Sequence, residues 1–500
     1  MFSLFDIPAK RASLTPHKLA MQEPISGRSV TYACLDENTA KTASFLETKG
    51  IGAGDRVAIL CHNSIAFFEI LFACGKLGAI LVPLNWRMPP NELNKLISDC
   101  DPGLLFYDSN FADIAQDLTC TLVVAIDDGD QRDLLHLRSD LPRHPGRLKW
   151  PANEPWYLLY TSGTTGTPKA VTQTYGMALV NYINLGQAID LTSQDHTLNF
   201  LPLFHTAGIN LYALPTLIAG GTVTVLPAFD EDIVITLLAA GDLDTFFGVP
   251  AVYQQLSLHP KFADIDLPKV RQWGCGGAPL PDALISIYQA RGIVVCNGYG
   301  MTETGPTAFL MNRADVREKI GSVGKAQILV QARIVDEDGR DVPDGSVGEL
   351  WITGPGITPG YWNKQEATAA AFTPDGWLKT GDLAQRDADG FTYIVGRAKE
   401  MFISGGENVY PAEVENILCD HPAVLEVAVI GVEDGKWGEV GHAFIMLRVP
   451  NFSLAEEDLR LYCRDHLASY KIPKHFSFVK DFPRTAAGKI QKHLLLSGKD

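Results

Sequence analysis

The segment Tyr160-Thr161-Ser162-Gly163-Thr164-Thr165-Gly166-Thr167-Pro168-Lys169 concentrates hydroxyls, glycines and a lysine on one short stretch. Glycines let backbone amides converge on an anion, hydroxyls add donors, and the lysine supplies a mobile positive charge. That chemistry suits phosphate. The spacing is not the Walker pattern, which sets glycine beside lysine with a hydroxyl residue after it. A Ser/Thr/Gly surface turn draws on the same residue types. A second cluster, Asn297-Gly298-Tyr299-Gly300-Met301-Thr302-Glu303-Thr304, carries an aromatic ring, a hydroxyl and a carboxylate on one loop. Such a set can cover a purine, contact a phosphoryl oxygen and hold Mg²⁺, a hard cation that favours oxygen ligands. The alternative places Tyr299 and Met301 in a core and leaves Glu303 as an exposed turn charge. Asp382, Arg397 and Lys489, taken singly, read as a turn residue, a surface ion pair and a tail charge.

Order along the chain adds to these local signals. Between and after the two clusters lie Gly274-Cys275-Gly276-Gly277-Ala278-Pro279, Lys379-Thr380-Gly381-Asp382, Gly396-Arg397-Ala398-Lys399-Glu400, Ser404-Gly405-Gly406-Glu407-Asn408 and Pro483-Arg484-Thr485-Ala486-Ala487-Gly488-Lys489-Ile490. This succession resembles the adenylate-forming superfamily of acyl-CoA synthetases, non-ribosomal peptide synthetase adenylation domains and beetle luciferases. The resemblance spans nearly the whole chain, and its flavour is that of bacterial fatty-acyl and hydroxycinnamoyl-CoA synthetases.

The resemblance implies ATP, Mg²⁺ and coenzyme A as ligands and a small carboxylic acid as substrate. Thr161, Ser162, Gly163, Thr164, Thr165, Gly166 and Lys169 would cradle phosphate. Gly276, Gly277 and Ala278 would form a backbone wall shared by adenine and the acyl group. Asn297, Gly298, Tyr299, Gly300 and Met301 would surround the nucleotide, with Tyr299 against adenine. Thr302 would contact the α-phosphate and Glu303 take part in Mg²⁺ binding. Asp382 and Arg397 would reach the ribose. Lys399 stands at the family's hinge position. Ser404, Gly405 and Gly406 would line the pantetheine channel, with Trp437 against the CoA adenine. Lys489 would drive adenylation, where a lysine offsets the repulsion between carboxylate and α-phosphate. Ala487 stands where the family often has serine, a departure that leaves the lysine charge intact. His205, in Leu201-Pro202-Leu203-Phe204-His205, would border the carboxylate end of the acid. Asn210, Phe247, Gly248, Gly298 and Gly305-Pro306-Thr307 are candidate acyl-pocket lining.

The elements that must position these residues follow from hydrophobic patterning. Arg56–Leu60, a helix over Ile65–Lys76 and a strand over Gly78–Leu84 form a βαβ pattern. It recurs at Thr222–Leu226, Glu231–Ala240 and Thr245–Pro250, and again at Val270–Trp273, Ala283–Ala290 and Ile293–Cys296. After Gly321, short β-like runs at Gln331–Val335, Gly348–Ile352, Trp377–Leu383 and Phe391–Val395 alternate with Asp/Gly turns. From Lys399 the chain is mixed, with a helix at Ala412–Leu418, strands at Val424–Gly431 and Gly441–Leu447, and a helix at Leu454–Leu467. The expected fold is α/β and multidomain. A large N-terminal domain, 1–398, has layered α/β subdomains and a β-barrel-like subdomain over about 321–398. A small C-terminal α+β domain, 399–500, pivots at Lys399.

At 500 residues the chain exceeds what one core supports, and its hydrophobic fraction of 46% fits a globular protein. A net charge of −16 without a basic patch argues against nucleic-acid binding. The nine cysteines show no CxxC pair or zinc spacing. No signal peptide, membrane-length apolar run or C-terminal address is evident, so the expected location is cytoplasmic, without integral membrane association. A homodimer is common among relatives. The favoured reading is acyl-CoA formation from an aryl or hydroxycinnamic acid such as ferulate or coumarate. Alternatives are a medium- or long-chain fatty-acyl-CoA synthetase, an enzyme loading a carrier protein, and a non-catalytic ATP-binding protein.

Overall fold

The computed structural model describes residues 2–127, 133–161, 168–265, 267–278, 280–449, 454–485 and 489–496. Among these residues, two large sheets dominate. One is six-stranded, in the order Lys169–Thr174, Pro155–Thr161, Ile80–Pro83, Arg56–Leu60, Leu104–Tyr107, Val123–Ala125, and is parallel except where Lys169–Thr174 pairs with Pro155–Thr161. The other is nine-stranded. Its parallel centre runs Val295–Tyr299, Gln272–Cys275, Thr245–Gly248, His196–Asn199, Thr222–Val225. Parallel strands covered on both faces need near-continuous apolar runs. Leu81, Val57, Ala58 and Leu104 are accordingly fully buried.

The helix Ile65–Leu77 is buried along its entire length, so it packs as a shared layer rather than a surface cover. Ser64 caps its first turn and Gly78, at φ 79°, ends it. The N-terminal helix Ile7–Leu14 is tied to this layer through Asp6, which takes the buried Lys76 ammonium at 2.6 Å.

A four-stranded antiparallel sheet follows: Gln331–Val335, Val347–Thr353, Leu378–Arg386, Thr392–Arg397. Lys325–Ala326, inside the span expected to belong to this subdomain, instead pairs with Phe309–Leu310 at the edge of the nine-stranded sheet. The last sheet holds Phe402–Ser404, Glu407–Val409, Val424–Asp434, Gly438–Leu447 and His475–Val479, backed by the helices Pro411–Cys419 and Glu456–His466. Its core of Phe402, Val414, Leu418, Val427, Ile445, Leu459 and Phe476 is separate from those of the large sheets.

Boundary differences have local causes. Of the strand and turn expected over Thr245–Pro250, the strand ends at Gly248 and Pro250 opens the helix Pro250–Leu258, where its missing N–H costs nothing. The strand expected at Val270–Trp273 lies at Gln272–Cys275, since a short 3₁₀ turn occupies Leu267–Lys269 just upstream.

Candidate active site

The carboxyl ends of parallel strands are where open α/β sheets bind ligands. Here the two large sheets turn several such ends into one cleft. Pro155–Thr161 leads into the Ser/Thr/Gly loop, and Thr161 and Lys169 face each other as register partners at its two ends. Ser162, Gly163, Thr164, Thr165 and Gly166 lie outside the described residues. Gln272–Cys275 leads into Gly276, which is buried, and Gly277 and Ala278, which are exposed. His196–Asn199 leads toward His205, and Val295–Tyr299 contains Asn297, Gly298 and Tyr299 and leads into Gly300 and Met301.

The loop after Tyr299 is tightly constrained. A Cβ on Gly300 would overlap the Pro306 carbonyl oxygen, so no other residue fits there. Thr302–Thr304 forms a 3₁₀ turn in which the Thr304 hydroxyl accepts from the Met301 amide at 2.9 Å. This turn holds Glu303 at 6% exposure, with its Oε1 accepting from the Tyr361 hydroxyl at 2.9 Å. Glu303 is therefore not the exposed turn charge of the alternative reading. Burial raises its pKa, offset in part by the Tyr361 hydrogen bond.

Asp382 and Arg397 sit directly opposite each other on adjacent antiparallel strands. That register explains their ion pair, Arg397 Nε to Asp382 Oδ1 at 2.6 Å. The Tyr299 hydroxyl donates to Asp382 Oδ2 at 2.5 Å. Burial raises the Asp382 pKa, while Arg397 and Tyr299 pull it back.

Lys489 enters this cleft from the C-terminal domain. A short hairpin, with Arg484 bridging Ile490 and the Thr485 amide donating to the Lys489 carbonyl at 2.7 Å, presents it. Ala486, Ala487 and Gly488 lie outside the described residues. Lys489 is exposed, yet the protein crowded around its ammonium lowers its pKa, and Arg397 lowers it further. Asp382, Glu400 and Glu303 act in the opposite direction. His205 is near enough for Lys489 and Arg87 to reinforce the effect of burial, which holds the imidazole pKa down at about 4. Its Nε2 is shielded from water and makes no hydrogen bond among the described residues. Burial and the two neighbouring cations therefore both disfavour the charged form of the ring.

Lys399, Ser404, Gly405, Gly406 and Trp437 do not join this cluster. Lys399 is exposed in the turn after Arg397, where the Glu400 amide donates to the Arg397 carbonyl. Ser404 is buried, and Gly405 and Gly406 are exposed. The Gly405 amide donates to the Trp437 carbonyl at 2.9 Å, and Trp437 remains 43% exposed. Trp437 borders an open depression of about 870 Å³ that also includes Glu433, Asp434 and Glu439.

Three contributors escaped the sequence reading. Tyr361 orients Glu303, and Lys169 Nζ lies 5.2 Å from the centre of its ring. Gln173, fully buried in the strand Lys169–Thr174, donates to the Thr302 carbonyl at 2.8 Å. Arg87 follows the carboxyl end of Ile80–Pro83 and acts on His205. A glutamine amid buried strand positions and an arginine just past a strand end were the available signals.

A family model described as AMP-binding enzyme matches residues 9–362, and one described as AMP-binding enzyme C-terminal domain matches residues 413–489. The chain belongs to the AMP-binding enzyme family. It is 39% identical over 485 residues to feruloyl-CoA synthase of an Amycolatopsis species, covering 97% of this chain and 96% of that one. It is 37% identical over 493 residues to indoleacetate–CoA ligase of Aromatoleum aromaticum, covering 97% and 95%. Among solved structures, ATP-bound MatB from Rhodopseudomonas palustris matches with a TM-score of 0.90 at 31% identity, covering 99% of both chains. Apo MatB, at the same identity, matches with a TM-score of 0.81. As a member of this family, the protein is an ATP-dependent, AMP-forming acid–thiol ligase that acts on a carboxylic acid and coenzyme A. None of its described helices is long and apolar enough to cross a membrane.

Proposed function

We propose that the substrate is an aryl acid of the hydroxycinnamic class, converted with ATP and CoA into acyl-CoA, AMP and pyrophosphate. The observation that carries this reading is the surface beside Gly276. A Cβ there would stand 3.1 Å from the Gly298 carbonyl oxygen and 3.4 Å from Phe247 Cζ. The Gly276 backbone thus packs against the Gly298 carbonyl and the Phe247 ring, and an aromatic ring beside bare backbone suits contact with a planar group. No basic side chain occurs among the candidate lining residues Asn210, Phe247, Gly298 and Thr307, which disfavours a second carboxylate. The likeness to a feruloyl-CoA synthase and an indoleacetate–CoA ligase supports the same class.

In the first half-reaction the acid's carboxylate attacks the α-phosphorus of ATP and pyrophosphate leaves. Lys489 would offset the repulsion between the two anions, and Thr302 would meet the α-phosphate. Tyr299 would cover adenine, and Asp382 would exchange its Tyr299 or Arg397 contact for ribose hydroxyls. Among the described residues no set of three or more His, Cys, Asp or Glu could hold a metal by itself. A lone buried carboxylate fits Mg²⁺ nonetheless, because that ion is commonly held by one or two carboxylates together with substrate phosphates. Glu303 would hold it, and the ion would supply charge neutralisation at the phosphates.

In the second half-reaction the CoA thiol attacks the acyl carbon and AMP leaves. We propose that the C-terminal domain, 399–500, turns about Lys399 for this step, bringing Ser404, Gly405 and Gly406 to the pantetheine path and Trp437 to the CoA adenine. The carboxylates around Trp437 favour contact with the base rather than the phosphates.

CoA-dependent AMP release across aromatic and C2 to C18 aliphatic acids tests the reading. Higher kcat/KM for ferulate and coumarate supports it, and a better alkanoate overturns it. Adenylate formation without CoA turnover would instead point to a carrier-protein thiol.

A further inference from the structure

Resting on the adenylation role proposed for Lys489, we infer that Lys492 is its positioning residue, which engages Glu400 and Glu415 and so keeps Glu400 from closing on Lys489. The Lys492 ammonium lies 2.7 Å from Glu415 Oε1 and 3.2 Å from Glu400 Oε2. All three side chains are partly buried, so salt screens these pairs less than it would a surface contact.

The three groups come from three separate parts of the chain. Glu400 follows the proposed pivot Lys399, and its amide donates to the Arg397 carbonyl at 3.0 Å, one turn from the Asp382–Arg397 pair in the cleft. Glu415 belongs to the helix Pro411–Cys419, which lies against the strand Thr392–Arg397. Its Oε1 also accepts from the Val429 amide at 2.7 Å, so the carboxylate is itself held in place. Lys492 opens the short turn of helix Lys492–Leu495, three residues after Lys489.

The hairpin that carries Lys489 has other anchors. Arg484 donates to both carboxylate oxygens of Glu426, and the Gln491 amide donates to the Pro483 carbonyl at 2.7 Å. Ile490 and Leu495 pack against the buried cluster of Ala428, Phe444 and Phe482. None of these contacts involves Lys492, so they hold the hairpin on its sheet without it. What Lys492 adds is electrostatic. Glu400 is shared between two lysines: it pairs with Lys492, and it also favours the charged form of Lys489. Among the described residues no carboxylate is within ion-pairing distance of Lys489. That freedom matters, because a lysine closed on a carboxylate has less charge to offer the acid and the α-phosphate. With Lys492 neutralised, Glu400 becomes a partly buried carboxylate without its cation, and Lys489, already in its field, is drawn toward it.

Lys492→Met keeps the side-chain length and removes the charge. Acid-dependent pyrophosphate exchange at saturating ATP is expected to fall about tenfold, while thioester formation from supplied acyl-adenylate and CoA changes less than about twofold. Adding Glu400→Gln should restore most of the exchange, since no carboxylate is then left there to hold Lys489, and Lys492→Arg should retain it. Should Lys492→Met fold poorly, Lys492→Gln, whose amide can still donate to Glu415, carries the same test. An unchanged exchange rate, equal losses in both half-reactions, or a double variant as slow as the single one overturns the role of Lys492. If Lys489→Ala keeps its exchange rate, the adenylation role of Lys489 falls and this inference with it; if Lys489→Ala is inactive and Lys492→Met is not impaired, only this inference falls.

Discussion

Two charge clusters in the molecule have the same ingredients and opposite designs. In the first, Lys76 is 2% exposed and is held by Asp6 at 2.6 Å and Asp36 at 2.8 Å, while Asp36 also pairs with Arg143. Beside it Glu69, fully buried, takes Arg28 at 2.7 Å and Arg138 at 2.8 Å. Each charge there ends on an opposite one. In the second, Asp382, Glu303, Arg397 and Lys489 share a cleft, yet among the described residues no carboxylate comes within ion-pairing distance of the Lys489 ammonium. The first cluster closes on itself and stabilises the fold. The second leaves charge unsatisfied, which is what a site for an anionic nucleotide requires.

Breaking each cluster should separate stability from activity. Lys76→Ala leaves carboxylates buried without their cation, and unfolding in urea should show a loss of about 3–5 kcal/mol. Lys489→Ala should lower acid-dependent pyrophosphate exchange about 10²–10³-fold, with ATP binding and melting temperature little changed. A variant that keeps the exchange rate would remove Lys489 from the mechanism.

Glu303→Gln sharpens the contrast, because activity and stability should move in opposite directions. The Glu303 pKa is raised above its ordinary value of 4.5, chiefly by burial. Its contribution therefore favours the fold below that ordinary value and is lost as pH rises through the folded-state value. At neutral pH the ionised carboxylate is a net cost. The amide variant should melt higher at pH 7 and lose adenylation, and its stability should vary less with pH above 4.5. The smallest effect is expected for Tyr361→Phe, a few-fold loss in adenylation at unchanged CoA dependence, since one hydrogen bond to a charged group is removed. Its acid limb of activity should move to higher pH, because that bond helps to keep Glu303 ionised.

Much of this was legible in the chain itself. The βαβ patterning located Arg56–Leu60, Ile65–Leu77 and Glu231–Ala240 because buried parallel strands and their helices leave strong local signatures. The segment 297–304 falls at the carboxyl end of a parallel strand, where Tyr299 meets Asp382 and Glu303 meets Tyr361. Gln173 and Tyr361 were not legible. Each acts on a residue more than fifty positions away, on Thr302 and Glu303 respectively, through contacts that exist only once separate sheets have docked.

The sequence by itself determined the inventory: which groups are available, in which order, and on which strand ends or turns they fall. Only the tertiary structure decided that Asp382 faces Arg397, that Lys489 crosses from its own domain into their cleft, and that Glu303 is buried rather than exposed. The reason is physical. Local spacing specifies a backbone's periodicity, whereas the protonation and reach of a charged group depend on the solvent displaced around it and on partners brought in from distant parts of the chain.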